Sequence, residues 1–469
     1  MGEEEGDPPD IFMKIIKKSF LAFALLLLAF PVCPSQAQMT FLEMNGYYRL
    51  RYDYLYRLYP KNDRGEDIGY FIQRFRLEPA IVAEERVRIK SQIDVLDDTV
   101  LGNNSAPAAS YLDHSLTGGN TATGIYGDET ATIRVKRVWA EIDSPYGLFR
   151  LGRQPFNFGL QAFLNSGDGQ TFDFGDSHYG ETRDRIAYFS PKTIFLGNGE
   201  LMLAYDKLIE NPYDYKHGEP GGFLGWLTNP NTDLDEYMIS YVRKGTIWES
   251  GVAASRQIQF QSKTRVWLFD LYGRIKHKYL YAAGEGRFTT GKTTVAGEKL
   301  DVNQVGGLLR GGADLVTEDG EFDFGLESGY ASGDGSGKGA EQTNFAPDYR
   351  VGILLYSEVM DYLTRKAGAA SLTRGGIANS VYARSFFKYI YAPRVSVMAG
   401  VLWAYPDKVD HIIAGHDSWL GLEIDSGVEV KLTRRSTVGL ELGYLFTGDG
   451  LEGDFKDPFA LRTKFQVVF

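Results

Sequence analysis

The last nine residues, Leu461-Arg-Thr-Lys-Phe-Gln-Val-Val-Phe469, divide cleanly by parity. Leu461, Thr463, Phe465, Val467 and Phe469 fall on one face of an extended chain, and Arg462, Lys464 and Gln466 fall on the other. Successive side chains of a strand point to opposite sides, so the segment is a ribbon with one apolar and one polar face. The same period recurs elsewhere. Over 42–58, Leu42, Met44, Tyr48, Leu50, Tyr52 and Tyr54 oppose Glu43, Asn45, Arg49, Arg51 and Asp53. Phe71, Phe75, Leu77 and Ile81 oppose Arg74, Arg76 and Glu78, and Val87, Ile89, Ile93 and Val95 oppose Arg88, Lys90, Gln92 and Asp94. Leu422, Ile424, Val428 and Val430 oppose Glu423, Asp425, Glu429 and Lys431, and Leu440, Leu442, Tyr444 and Phe446 share a face opposite Glu441. A wall with hydrocarbon on one side and water on the other requires this pattern in strand after strand.

The start of the chain reads as a leader. Met13-Lys-Ile-Ile-Lys-Lys18 is basic, Phe20–Val32 is an apolar run, and Ser35-Gln-Ala37 is a small-x-small cleavage site. The run is too short to cross a bilayer and suits a secretory signal peptide, so 1–37 is expected to be removed. Met13 is an alternative initiator, because the acidic stretch Gly2–Asp10 is unusual ahead of such a signal. The single cysteine, Cys33, lies in this leader, so a mature chain from about Gln38 would have no disulfide and no thiolate chemistry. Residues 38–469 are expected to form one domain.

Short turns alternate with long polar segments. The turns are Glu84–Arg86, Ser144–Gly147, Lys276–Lys278, Glu318–Glu321, Ala392–Arg394 and Thr433–Ser436. The long segments lie near 98–130, 160–182, 209–235, 330–380, 405–417 and 447–459. The expectation is an all-β, antiparallel, up-and-down transmembrane barrel of about 18 strands, with 16 as the alternative. Its short turns would be periplasmic and its long loops extracellular. A content of 29 Tyr, 29 Phe and 54 Gly suits interfacial girdles and strand bends. The segment 131–142 needs a bulge if Arg134, Lys136 and Arg137 are all to face the lumen. Loop 330–380 opens with the glycine-rich run Gly333–Gly339 and continues into Val351–Leu363 with mixed helical spacing. It is expected to fold either into the lumen or over the rim.

Arg49, Arg51, Arg74, Arg76, Arg88 and Lys90 share the inferred lumen face of three consecutive strands, and Arg150, Arg183 and Arg185 extend the stripe. Neighbouring strands lie about 4.8 Å apart, so these cations would form one basic surface that attracts anions. Acidic lumen residues come later, at Asp323, Glu327, Glu423, Asp425, Glu429 and Glu441, and would set a transverse field.

The closing aromatic resembles the C-terminal signal of bacterial outer-membrane barrels. That resemblance implies delivery by the barrel-assembly machinery through Phe469 to the outer membrane of a Gram-negative cell, with lipid and lipopolysaccharide as neighbours. Val138-Trp-Ala-Glu-Ile142, Leu148-Phe-Arg-Leu-Gly-Arg-Gln154, Asn165-Ser-Gly-Asp-Gly169 and Thr182-Arg-Asp-Arg-Ile186 follow in order. This stretch resembles the alginate-export family of outer-membrane barrels. The resemblance implies 18 strands and an arginine-rich lumen that passes a polyanionic polysaccharide, with Arg150, Arg153, Arg183 and Arg185 at the matching positions.

Catalysis finds little support. The six histidines, His114, His178, His217, His277, His411 and His416, show no spacing that assembles a nucleophile and a base, and no enzyme activity, cofactor or metal site is expected. The Gly-Asp-Gly triplets at 167–169, 333–335 and 448–450 read as turns. A formal charge of -11 argues against nucleic acid. The expected function is passive diffusion of hydrophilic, anionic or saccharide-like solutes. An uptake porin and a non-conducting envelope scaffold are the alternatives.

Overall fold

The computed structural model describes residues 41–58, 67–100, 133–167, 180–192, 197, 199–208, 234–259, 263–295, 298–335, 340–360, 363, 376–391, 394–408, 419–451 and 457–469. The leader therefore lies outside the described residues. No described helix is long and apolar enough to cross a membrane; the chain crosses with strands instead.

Eighteen antiparallel strands run in chain order: β1 (Phe41–Tyr56), β2 (Asp67–Glu84), β3 (Val87–Val100), β4 (Ile133–Ser144), β5 (Gly147–Pro155), β6 (Thr182–Phe189), β7 (Gly199–Leu208), β8 (Leu234–Lys244), β9 (Trp248–Gln259), β10 (Thr264–His277), β11 (Leu280–Val295), β12 (Glu298–Val316), β13 (Gly320–Ala331), β14 (Ser380–Tyr391), β15 (Val395–Pro406), β16 (Gly421–Lys431), β17 (Ser436–Thr447) and β18 (Phe459–Val468). Each pairs with the next, and β18 pairs with β1 from Tyr47↔Val468 to Tyr56↔Phe459. The sheet is a closed barrel without edges, which satisfies every strand's ladder inside a bilayer.

Alternation decides which face looks where. Leu309 is 73% exposed, Leu326 68% and Leu271 61%, and all stand on the outer wall. Such a band is stable only where hydrocarbon replaces water. At the seam, the Phe469 amide donates to the Gly46 carbonyl at 3.0 Å, and its ring lies 5.7 Å from that of Phe75. Gly46 leaves room for it: an added Cβ there would sit 2.7 Å from the Phe469 ring and 2.2 Å from the Arg76 carbonyl oxygen.

The bulge expected in β4 is present. The β3–β4 register slips between Gln92 and Ile93, so Asp94 faces Arg134 and Gln92 faces Arg137 while Lys136 is the extra residue.

Two outer connections turn inward. In the β13–β14 connection, Phe345, Tyr349, Val351, Ile353–Tyr356, Val359 and Met360 are buried against Leu55, Ile72, Leu402, Leu445 and Ala460. Register puts those wall residues on the lumen face with Arg49 and Arg74, so this loop occupies the barrel's interior. The β5–β6 connection does likewise, burying Phe156, Phe158 and Leu164 on Ala187, Met202, Met238 and Tyr272. The Ala346 amide donates to Ala162 O at 2.7 Å, and the Gly180 amide donates to Asp348 Oδ2 at 2.5 Å, joining the two loops.

Candidate functional site: the lumen

Each inward loop hangs from a wall carboxylate. Glu423 on β16 accepts the backbone amides of Ile353, Leu354 and Leu355 at 2.6, 2.6 and 2.7 Å, where a π-helical turn (Leu355–Val359) begins. Glu285 on β11 accepts the amides of Leu160 and Ala162. Amide donors without an acceptor are costly in a buried place, so one acid side chain positions a whole turn. Glu423→Ala would orphan three buried donors at about 1–3 kcal/mol each. The expected result is a loosened loop, read as faster proteolytic cleavage within 345–375 of the folded barrel; an unchanged cleavage rate would count against the anchor. Farther out, Lys408 Nζ meets Glu341 at 3.1 Å, and this hydrogen bond raises the lysine's pKa.

The basic residues expected to line the pore separate into three groups. Arg49, Arg76, Arg88 and Lys90 face a lumenal cavity of about 630 Å³ together with Arg137, Trp139, Glu43 and Glu78. Arg51 and Arg74 are on the same face outside that cavity, and all four arginines of β1 and β2 are at most 5% exposed. Arg51 Nη2 lies 2.8 Å from Asp53, and Arg76 is held two-pronged by Asp94 at 2.6 and 2.9 Å. Arg150 also faces the lumen and meets Glu141 at 3.1 Å, as does Lys90 at 2.9 Å.

Arg183 and Arg185 face inward, but both are consumed by the wall. Arg185 holds Asp206 at 2.6 Å through both Nε and Nη2, and Arg183 reaches Asp206, Glu236 and Glu181. The Phe156 ring caps them, 4.1 Å from the Arg185 guanidinium carbon. Paired and covered in this way, they stiffen β6–β8 and hold the inward loop.

Arg153 corrects the expectation. Its register partner is Asp184, whereas Gln154 faces Arg183. Opposed residues share a face, so Arg153 and Asp184 stand on the outer wall with Val138 and Ile186, joined at 3.0 Å through two bonds. The intervening Gly152 has φ +118°, and an added Cβ would meet Val138 O at 2.6 Å, so the motif's glycine answers to the backbone.

The acidic residues of the far wall are largely engaged. Glu423 anchors the loop, Glu327 accepts from Tyr382 Oη at 2.8 Å, and Asp323 accepts from Tyr281 Oη at 2.7 Å. From the loop, Glu358 crosses to Arg462 at 2.5 Å. Arg137 and the β5–β6 loop were not assigned to the site from sequence. Arg137 donates to Ser166 O of that loop. The loop's signal was present: Phe156, Phe158 and Phe163 in one outer connection need cover from water. His277 closes β10, and the other five histidines lie outside the described residues. No metal-ligating cluster occurs among the described residues.

No protein-family model matches the chain, and no curated protein does. Solved structures do match. Pseudomonas aeruginosa OccK9 (OpdG) aligns at 12% identity and TM-score 0.54, covering 91% of this chain and 98% of that one. Acinetobacter baumannii OccAB3 aligns at 12% identity and TM-score 0.52, covering 91% and 99%. A BenF-like porin from Pseudomonas fluorescens Pf-5 aligns at 9% identity and TM-score 0.51, covering 91% and 98%.

The chain has the fold of a bacterial outer-membrane porin. The strand number is 18, which sets aside the alternative of 16. Identities this low speak to the fold and leave the solute to the lumen's own chemistry.

Proposed function

We propose that the chain is a passive outer-membrane channel for small anionic solutes, carboxylates foremost. The observation that carries this reading is the lumenal cavity on β1–β5. Five cations (Arg49, Arg76, Arg88, Lys90, Arg137) line it against two carboxylates (Glu43, Glu78). Guanidinium groups offer paired donors to a carboxylate, and a low-dielectric wall strengthens the attraction. On the far wall Glu423 is spent on anchoring, and Arg310 lies 3.8 Å from both Asp323 and Glu327, which weakens an opposing field. Export of an alginate-like polymer needs a lumen open to a chain of sugars. Two inward loops joined to each other weigh against that version and favour small solutes moving down their gradient.

Swelling of proteoliposomes tests this. Succinate is expected to enter fastest, a neutral sugar of similar size more slowly, and lysine slowest. Equal rates for the three, or lysine ahead of succinate, would refute anion preference.

A further inference from the structure

Arg76, Arg185 and Arg462 are at most 5% exposed, and each holds a carboxylate: Asp94 at 2.6 Å, Asp206 at 2.6 Å and Glu358 at 2.5 Å. Arg350, in the inward β13–β14 connection, departs from that pattern. It is 5% exposed, and no described residue gives it a hydrogen bond, an ion pair or a ring contact. Its Nε is sealed from water without an acceptor, and neither Nη is sealed in that way. The forked end therefore keeps the residue's remaining contact with water. A guanidinium taken into the interior without a counter-charge is costly, so the position calls for an anion that the chain itself does not supply.

The backbone fixes Arg350 where the two inward loops meet. Ahead of it, the Ala346 amide donates to Ala162 O at 2.7 Å, and the Tyr349 amide closes a turn on Ala346 O at 2.8 Å. Asp348, the nearest acid in sequence, is turned to the Gly180 amide at 2.5 Å. After it, with Val351 and Gly352 between, the amides of Ile353, Leu354 and Leu355 hang from Glu423. Its neighbours Tyr349 and Val351 are buried, the Tyr349 ring 5.6 Å from that of Phe345. Held from both sides, the guanidinium is ordered before any anion arrives. The same turn touches the edge of the basic cavity: a Cβ on Gly167 would stand 3.0 Å from Asp348 Oδ2, and Gly167 lines that cavity.

We propose that Arg350 is a carboxylate-binding residue of the pore, meeting the charge of a passing solute at the junction of the two inward loops. This rests on the reading of the lumen as an anion path. A planar carboxylate takes two N–H groups of the fork at once, whereas chloride takes them as a point charge, so the residue favours carboxylates. Its unmet charge is a cost in stability kept for binding.

The test reads succinate binding and thermal stability on the whole barrel. In single-channel recordings in potassium chloride, succinate is expected to interrupt the wild-type current. Arg350→Gln is expected to weaken that block about tenfold or more, the loss of one charge-assisted fork. Arg350→Lys keeps the charge and is expected to regain part of the block. In detergent, Arg350→Gln is expected to unfold at or above the wild-type temperature, because an uncompensated charge has left the interior; a side chain that merely supported the loop would lower it. Succinate is expected to raise the wild-type midpoint more than chloride of equal ionic strength does. An anion-selective wild-type pore whose succinate block survives Arg350→Gln would overturn the inference and leave the anion path standing. A lowered melting temperature in Arg350→Gln, or equal shifts with succinate and chloride, would overturn it as well. A wild-type pore without anion preference would remove the reading beneath it.

Discussion

Removing residues 334–372 is expected to raise single-channel conductance roughly severalfold, because the inward loop fills cross-section that water and ions would otherwise use. The physical basis is where its apolar residues lie. Ile353, Leu354 and Leu355 are essentially unexposed, and their partners, Leu55, Ile72, Leu402 and Leu445, all belong to the lumen face. An interior face is normally polar, so these wall positions are apolar to receive the loop. The deletion leaves them wet, at about 25 cal/mol per Å² of apolar area exposed, and strands Glu423 without its three amide donors. The barrel itself should persist, since its ladder closes through β1–β18 without the loop. A mild loss of thermal stability is therefore expected beside the large gain in current. Unchanged conductance would mean that the ion path avoids the space this loop fills.

The second large effect concerns charge. Replacing Arg88 and Lys90 together by Gln is expected to shift the reversal potential in a salt gradient from anion-favouring towards zero. The cavity would then hold Arg49, Arg76 and Arg137 against Glu43 and Glu78, an excess of one cation where there were three. Arg49 and Arg76 are left alone deliberately. They are 3% and 5% exposed, and breaking a buried pair such as Arg76 with Asp94 costs about 3–5 kcal/mol, which would confuse selectivity with misfolding. Arg88 is exposed and Lys90 half-buried, so both tolerate the change. Lys90→Gln still leaves Glu141 with Arg150. A reversal potential that does not move would separate the basic wall from ion choice.

Much of this was legible in the sequence, for a reason particular to membrane barrels. Lipid outside and water inside impose a period of two on every strand, so Arg49, Arg74 and Arg88 were assigned their faces by parity alone. A bulge within 131–142 followed from the same rule, since three cations in four residues cannot all face inward without one, and the structure puts it at Lys136. Arg153 shows where parity failed. The run Arg150–Arg153 spans an odd number of steps, so the two residues face opposite ways, and the motif's resemblance outweighed the count. The partition of the remaining arginines was not readable. Arg183 and Arg185 look as available as Arg49 until Asp206, Glu236 and Phe156 are brought to them from three other segments. Long-range pairing of that kind has no local signature. The same holds for Glu423, which reads as one more lumen acid until a loop's amides are seen to point at it.

The most direct measurement is the current through the purified wild-type chain in a planar bilayer under a tenfold potassium chloride gradient. Stepwise openings with a reversal potential on the chloride side are expected from a water-filled lumen whose accessible wall is basic. A silent membrane, or a reversal potential on the potassium side, would contradict it.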